Sequence, residues 1–487
     1  MKRDLERMNN LGAHFRLVAG AGVLLLALLE ANAADWPGFR GPNGSGIGEV
    51  VGLPVAFGPA TNVVWKTPLP PGKSSPVLAG DHIFLTAHEG GELLTLCLDR
   101  ETGRVLWRRR LRPARSEKLH QLNSPASATP ATDGENVYVF FGDFGLISYG
   151  RDGRERWRYP LGPFTNLQGM GASPIVADGK VVLVCDQDEN SYILAVDKDT
   201  GKTVWKTSRP EVVHGFATPS VWQPEGGALQ LIVPGSYVLI AYSLETGEKL
   251  WWVRGLTWQV KPSAVTEGET IYVTGGAPGV EPGERLFIPP FDEAIREADA
   301  DGDHKISPAE LPEKWKPNGS WRAIDLDIDG FLNEREWTFY RARRGGENAT
   351  LAVRPQKATG DLTESHVQWR YDRAVPIVSS PLVYENILYT IKDGGIFTSL
   401  DPSTGGVLKT ARVRDAIDNY YASPVAADGK IYLASETGKI SVIRPGAQWE
   451  VIAVHDLGEP AYASPAVSDG RLYLRTDVAL YAFGEKR

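Results

Sequence analysis

The sequence predicts an all-β fold assembled from one repeated unit, and three observations predict it. One phrase recurs eight times: a hydroxyl residue, usually proline next, a turn, then an alternating apolar strand. A second phrase, small-x-Asp-x-x-Thr-Gly-x-x-x-Trp or a degenerate form of it, follows about twenty residues later. Glycine (52) and proline (34) are abundant, which suits many turns and few long helices.

The hydroxyl phrase begins at Ser75, Thr129, Ser173, Thr218, Ser263, Ser380, Ser423 and Ser464. Six of the seven spacings fall between 41 and 54 residues, and the step from Ser263 to Ser380 is 117. The second phrase ends at Trp107, Trp205 and Trp251, with shorter forms at Trp157 and Trp449 and Lys409 in the tryptophan slot of the sixth copy. Thr-Gly supplies a tight turn, because glycine accepts positive φ. The tryptophan then opens an outer strand and can bury against the neighbouring unit. Each unit holds about four short strands in roughly 40–45 residues, the pattern of a β-propeller blade. The last copy stops near residue 484 without its fourth strand, while Asn62 to Leu69 offers a spare one with Trp65 in the tryptophan slot. An eight-bladed β-propeller closed by its N- and C-terminal strands is the expectation; closure removes exposed sheet edges. Seven blades or an open array is the alternative.

Ahead of the repeats, Lys2, Arg3, Arg7 and Arg16 precede an apolar run from Leu17 to Leu29 and an Ala31-Asn32-Ala33 cleavage pattern. Residues 1–33 read as a secretory signal peptide, so the mature chain is exported to the periplasm or outside the cell, with no stable membrane span. An uncleaved anchor is the alternative. Export permits disulfides, but Cys97 and Cys185 both lie in apolar strand-like runs and read as buried free thiols. The formal charge of -8 argues against nucleic acid or an anionic membrane surface as partner.

With its signature recurring in phase, the chain resembles the pyrroloquinoline-quinone-repeat family of eight-bladed propellers over residues 36–278 and 348–484. The resemblance implies fold more than function. That family contains quinoprotein alcohol dehydrogenases, and also cofactor-free members such as the outer-membrane-protein assembly lipoprotein. The opening "DWPGFRGPNGSG" also resembles a group of exported bacterial propellers with no settled activity.

The long fifth step contains an insertion, residues 279–347, whose pattern is helical. The propeller is thus divided into 34–278 and 348–487. Within the insertion, Asp299, Asp301, Asp303, Lys305, Ser307 and Glu310 occupy positions 1, 3, 5, 7, 9 and 12 of a calcium loop. Asp325, Asp327, Asp329, Phe331, Asn333 and Glu336 repeat the pattern. A hard cation needs such an oxygen cage, with Lys305 and Phe331 contributing only backbone carbonyls. Ile306 and Leu332, at position 8 of each loop, can pair. Ser307 and Glu310 read as a capping box for an exit helix that Pro312 and Pro317 keep short. The segment resembles a paired EF-hand. Two calcium ions are expected, the second loop filling more readily, because His304 stands where Gly330 makes the sharp turn in its twin.

Propellers place function at the channel mouth, in the loops before the inner strands. Here those loops carry Lys73, His120, Gln121, Asn123, Asn166, Gln168, His214, Trp258, Gln259, Lys261, Asn419 and Tyr420. His120, His214 and Lys261 are the groups best able to act as acid, base or anion clamp. The plainer reading is polar capping of inner-strand ends, and the hydroxyl column reads as local caps of strand starts. A quinoprotein dehydrogenase would need a carboxylate cluster and often adjacent cysteines, and the mouth loops offer neither, so a bound quinone is not expected. The sequence is therefore read as an exported, monomeric, calcium-binding propeller. It acts as a non-enzymatic binding or scaffold module for a protein, peptide or glycan. A quinone-dependent oxidoreductase with its site at the channel mouth is the alternative, and a hydrolytic or lyase site built from His120, His214 and Lys261 a third.

Overall fold

The computed structural model describes residues 36–280, 284–317 and 319–485. The signal-peptide reading concerns residues outside that set. Eight antiparallel sheets follow one another along the chain as an all-β, eight-bladed propeller. Blade one shows the plan: Val77–Ala79 innermost, then His82–Glu89, Glu92–Asp99 and, outermost, Val105–Leu111. The middle strands are buried on both faces, because a neighbouring blade covers each side. The outer strand alternates between half-buried and exposed. Periodicity of two is thus confined to the rim.

Blade five is assembled from Val265–Glu267, Thr270–Gly275, Ala349–Val353 and Val367–Tyr371. In the eighth sheet Val63–Pro68 pairs antiparallel with Ala479–Phe483, with Trp65 opposite Ala482. Blade four gains a short parallel partner, Gly360–Asp361, along Trp251 and Trp252.

The tryptophan phrase has a single mechanical meaning. Five of the indole N–H groups donate to a backbone carbonyl in the turn of the next blade: Trp65 to Arg100, Trp107 to Arg151, Trp157 to Lys198, Trp205 to Leu244 and Trp369 to Pro402, at 2.8–3.2 Å, whereas the buried Trp449 N–H has no partner among the described residues. The ring lies on the glycine of that turn. A Cβ on Gly103, Gly201, Gly247 or Gly405 would meet the indole at 2.5–2.7 Å, and all four glycines have φ between +68° and +71° or, for Gly247, +74°. Asp99, Asp197 and Asp401 hold the turn by accepting backbone N–H groups two or three residues on. Blade five lacks this turn, so Trp251 bonds to Gln230 Oε1 instead, at 2.9 Å. Lys409, in the tryptophan slot of blade six, places its ammonium 4.3 Å over the Trp449 ring and donates to the Trp449 carbonyl.

The hydroxyl column departs from expectation. Its members do not cap their own strands. The N–H of Ser75 donates to Thr129 Oγ1, Thr129 to Ser173, Ser173 to Thr218, Ser263 to Ser380, Ser380 to Ser423 and Ser423 to Ser464, all at 2.9–3.0 Å. Each bond joins one blade to the next. The inner strands converge on the channel axis, which brings these hydroxyl oxygens within reach of the neighbouring blade's N–H.

Residues 36–48 run across the channel at one end. Trp36 bridges Leu78, Pro37 accepts from Thr132, Asn43 bonds both ways with Val221, Arg40 reaches the Pro381 carbonyl at 2.7 Å, and Ile47 bridges Ala426. The segment thereby touches the inner strands of blades one, two, four, six and seven.

Between Gly275 and Ala349 the chain forms helix α1 (Phe291–Ala298) and helix α2 (Glu334–Gly345), with 3-10 turns at Glu313–Trp315 and Trp321–Ala323. No exit helix follows Ser307. Glu310 Oε2 does accept the Ser307 N–H, but Pro312 cuts the chain down to one 3-10 turn. The working capping box is at Asn333 and Glu336, opening α2. This segment has its own core of Ile306, Leu332, Trp315, Trp337 and Tyr340. Cys97 and Cys185 are both buried and free.

Replacing Trp205 by Ala should lower unfolding stability by about 3–5 kcal/mol, and Gly247→Ala should lower it too, by more than about 1 kcal/mol. The double variant should lose less than the sum, because both changes break one contact; equilibrium urea unfolding measures all three.

Candidate functional site

The channel widens above the plug into a cavity of about 420 Å³. Phe39 of the plug lines its base, together with Thr129, Ser173, Thr218, Ser423 and Ser464 of the hydroxyl column. The next tier up is set by chain geometry. Two residues before each column hydroxyl, the side chain again faces the axis. That position is Lys73, Ser127, Gly171, Phe216, Lys261, Val378, Tyr421 and Tyr462 in blades one to eight, and all eight line the cavity. His120, Asn123, Gln168, Gln259 and Asp393 complete the rim.

The expected mouth residues divide accordingly. His120, Asn123, Gln168 and Lys261 line the cavity. Asn123 donates to the Gln168 carbonyl at 2.7 Å, and His120 Nδ1 accepts the Leu122 N–H at 3.2 Å. Gln121 is exposed and does not line it. Asn166 is buried and accepts from the Gln168 N–H. Asn419 bonds to Glu436 on the exposed surface. Tyr420 is a core residue whose hydroxyl donates to the Ala416 carbonyl at 2.8 Å. Its neighbour Tyr421 faces the cavity and stacks on Tyr462 at 5.9 Å. The error is one of register, and the repeat of Tyr-Ala-Ser at 421–423 and 462–464 was the signal for the correct residue. The mouth also holds carboxylates that were not expected, Asp393 on the wall and Asp188 behind it.

His214 and Trp258 lie behind the wall, under the helical segment. His214 Nδ1 donates to buried Asp188, and its Nε2 accepts from the Gln259 amide at 2.8 Å. This puts the ring proton on Nδ1. Arg322 bridges outward, to Asp188 Oδ2 at 3.2 Å and to the Asp325 carbonyl at 2.9 Å. Arg335 binds the Asp188 carbonyl and Glu189. Arg343 of α2 lies 3.6 Å over Trp258, and Phe339 stacks on Tyr237. A continuous line of polar contacts therefore joins the second acidic loop to the cavity wall.

In each acidic loop three carboxylates converge. Asp299, Asp301 and Asp303 bring one oxygen apiece within 4.8 Å of one another, as do Asp325, Asp327 and Glu336. Asp325 Oδ1 is buried with no hydrogen-bond partner, and an orphan anionic oxygen there suits a cation. Ile306 and Leu332 pair through two backbone bonds of 3.1 and 2.8 Å, joining the loops back to back. His304 takes φ +62° and Gly330 φ +92° at position 6. Other expected ligands are turned to different partners. Lys305 pairs with Asp329 of the opposite loop at 2.6 Å, Asn333 bonds to Asp327 at 3.3 Å, and Glu310 ties down the Ala300 and Ser307 N–H groups.

Burial governs the titrating groups around the mouth. It pushes the Lys261 ammonium down to about 8 and lowers Lys73 as well. Burial raises Asp393, against a backbone N–H bond from Tyr420. On the rim loop that carries His120, burial pushes the Glu117 carboxyl up to about 7.

Residues 55–216, 97–251 and 189–303 match the family described as outer membrane protein assembly factor BamB, together just over half of the 487 residues. The chain belongs to the BamB family. A curated relative, the outer membrane protein assembly factor BamB of Alkalilimnicola ehrlichii, is 27% identical over 179 residues, 35% of this chain and 42% of the relative. The chain thus matches less than half of that relative's length. Among solved structures, BamB from Moraxella catarrhalis superposes with a TM-score of 0.53 at 12% identity, covering 86% of this chain and 99% of that one. A europium-containing methanol dehydrogenase superposes at 0.58 and 10% identity, covering 94% and 99%. At these identities the likeness is one of fold alone. It joins a BamB and a dehydrogenase to the same ring, so fold does not select between their activities.

Glu117 carries a testable consequence. Its folded value lies above the ordinary 4.5, so the folded state holds a proton that the unfolded chain has released. Its contribution to stability therefore falls as pH rises from about 4.5 through 7. Glu117→Gln should stabilise the protein more at pH 7.5 than at pH 4.5, read as the difference in melting temperature between variant and wild type.

Proposed function

We propose that this chain is an exported binding and scaffold module of the cell envelope, a propeller whose helical insertion binds calcium. The observation that carries the reading is the pair of carboxylate clusters joined back to back through Ile306 and Leu332 and clamped onto the mouth face by Arg322, Arg335 and Arg343. On this reading residues 279–347 are an EF-hand pair inserted in blade five. They divide the propeller into 34–278 and 348–487, and the pairing of Val63–Pro68 with Ala479–Phe483 closes the ring. Residues 1–33 serve as the signal peptide, cleaved on export.

Two calcium ions bind, the second loop first. Asp325, Asp327 and Glu336 hold the ion there, with the Phe331 carbonyl and Asn333 completing an oxygen shell. In the first loop Asp299, Asp301 and Asp303 supply the carboxylates, and left-handed His304 makes the turn more costly than glycine would. Filling either loop requires Asp329 or Glu310 to exchange its present partner for the cation. The helical segment is anchored to the mouth, so its filled state can hold that face in one arrangement for a protein, peptide or glycan partner. Membership of a family described as an assembly factor supports a protein partner and an envelope location. Among the described residues no helix is long and apolar enough to cross a membrane.

Calorimetric titration of the mature chain with calcium should give two sites, with affinities on the order of 10⁻⁴ to 10⁻³ M. Glu336→Gln should abolish the tighter one and leave the other. No calcium heat in the wild type, or heat untouched by Glu336→Gln, rejects the calcium reading. A pull-down from envelope extract should retain its partner in calcium and release it in chelator. Retention of pyrroloquinoline quinone with alcohol-dependent dye reduction would replace this reading with the oxidoreductase.

A further inference from the structure

We propose that the channel cavity is a binding site for a small aliphatic di- or tricarboxylate, a metabolite-sized organic acid held between Lys73 and Lys261. This goes beyond calcium binding and partner docking and depends on neither.

The first observation is the chemistry of the floor. A hydroxyl offers one donor and two lone pairs. Thr129, Ser173, Thr218, Ser423 and Ser464 each use a lone pair on the N–H of the preceding blade. None of the five donates to an acceptor among the described residues. All five line the cavity, so its floor is an array of O–H donors. A ligand that matches it is rich in acceptors.

The second observation is where the cations stand. Lys73 and Lys261 occupy the same tier in blades one and five, and in a ring of eight those blades face each other across the axis. Lys261 donates only to the Gln259 carbonyl, at 3.3 Å, and lies against Phe216. Lys73 donates to the Leu122 carbonyl at 2.9 Å and sits 3.6 Å over Tyr462. Neither is ion-paired among the described residues. Asp393 is the carboxylate on the wall, and burial disfavours its charged form. The other titratable groups facing the cavity are His120, Tyr421 and Tyr462.

Arg40 adds a third cation beside the floor. It follows Phe39 and is wholly buried, and among the described residues it has no carboxylate partner and its Nε and Nη1 have no hydrogen-bond acceptor. Its Nη2 reaches the carbonyl of Pro381, the residue after Ser380 of the hydroxyl column. A cation without an ionic partner in a desolvated site is costly, and half-buried Lys261 lines the donor-lined cavity in that state while wholly buried Arg40 lies behind its floor. A polyanion filling that space offsets the cost at Lys261 directly. Carboxylates at either end meet the opposed ammonium groups, while the Gln168 and Asn123 amides and the floor hydroxyls bond the remaining oxygens. At about 420 Å³ the cavity suits a ligand of metabolite size.

The test is calorimetric titration of the full mature chain with citrate, after dialysis to remove divalent ions, with glucose as the neutral control. Citrate should saturate one site and glucose should give no heat. Lys261→Met and Lys73→Met should each weaken citrate by about tenfold or more. Raising the pH from 7 to 9.5 should weaken it in the wild type and weaken it less in Lys261→Met, because the lysine that loses its proton first is gone and only Lys73 is left to titrate. Lys261→Met should melt at or above the wild-type temperature, since it removes a half-buried ammonium that has no ionic partner among the described residues, and this establishes that the variant is folded. If Lys261→Met fails to fold, Lys73→Met and Arg40→Leu carry the same comparison. Absence of saturable citrate heat, equal heat from glucose, or citrate affinity unmoved by every cation variant overturns the proposal. So does a quinone retained in the cavity that citrate cannot displace.

Discussion

An indole laid on a glycine holds one blade to the next at five of the eight junctions. The tryptophan supplies apolar area and one N–H, and the neighbouring turn supplies a carbonyl and a surface without a Cβ. Both halves are needed. A side chain on Gly247 would occupy the space of the Trp205 ring, and a smaller residue at 205 would leave the Leu244 carbonyl without its donor. Because the contact repeats from blade to blade, it sets the spacing and tilt of the sheets. Everything nearer the axis inherits that geometry. Where the turn is missing, in blade five, the chain substitutes a side-chain acceptor on Gln230 and an added strand at Gly360–Asp361. That is also the blade whose middle hairpin is opened to admit the helical segment.

At the axis the same angular spacing brings six of the eight column hydroxyls within 3.0 Å of the previous blade's N–H. These bonds satisfy backbone donors that face no strand partner, and they leave the O–H groups pointing at the cavity. Structural and functional roles of the column are therefore not alternatives. Its lone pairs knit the blades, and its protons define what kind of ligand the channel can accept. The plug through residues 36–48 shuts one end, so the cavity has a floor and a single wide mouth.

The helical segment meets the propeller on that mouth. Its contacts are specific in kind: two arginines on Asp188 and Glu189, one guanidinium on the Trp258 face, and the Phe339–Tyr237 stack. Arg322 holds both the carbonyl of Asp325 and the carboxylate of Asp188, while His214 links Asp188 to Gln259 on the cavity wall. The second acidic loop is thus mechanically closer to the channel than the first, which lies more exposed.

The repeated hydroxyl and tryptophan phrases were enough, read alone, to give the class of fold and the number of blades. Each is a local pattern with a local cause, a turn that needs glycine or a strand that needs apolar faces. The clustering of carboxylates in each acidic loop was legible for the same reason, since each set comes from one short stretch of chain. The mouth was legible only in part. Lys261, His120, Asn123 and Gln168 reach the cavity, whereas Tyr420 and Asn419 do not, because one step of register turns a side chain from axis to core. Asp188 behind His214, Arg322 bridging loop and wall, Asp329 drawn to Lys305, and the plug with Arg40 beside the floor were decided by tertiary structure alone. Each joins groups apart in the chain, brought within bonding distance by the packing of the blades or, for Lys305 and Asp329, by the pairing of Ile306 with Leu332.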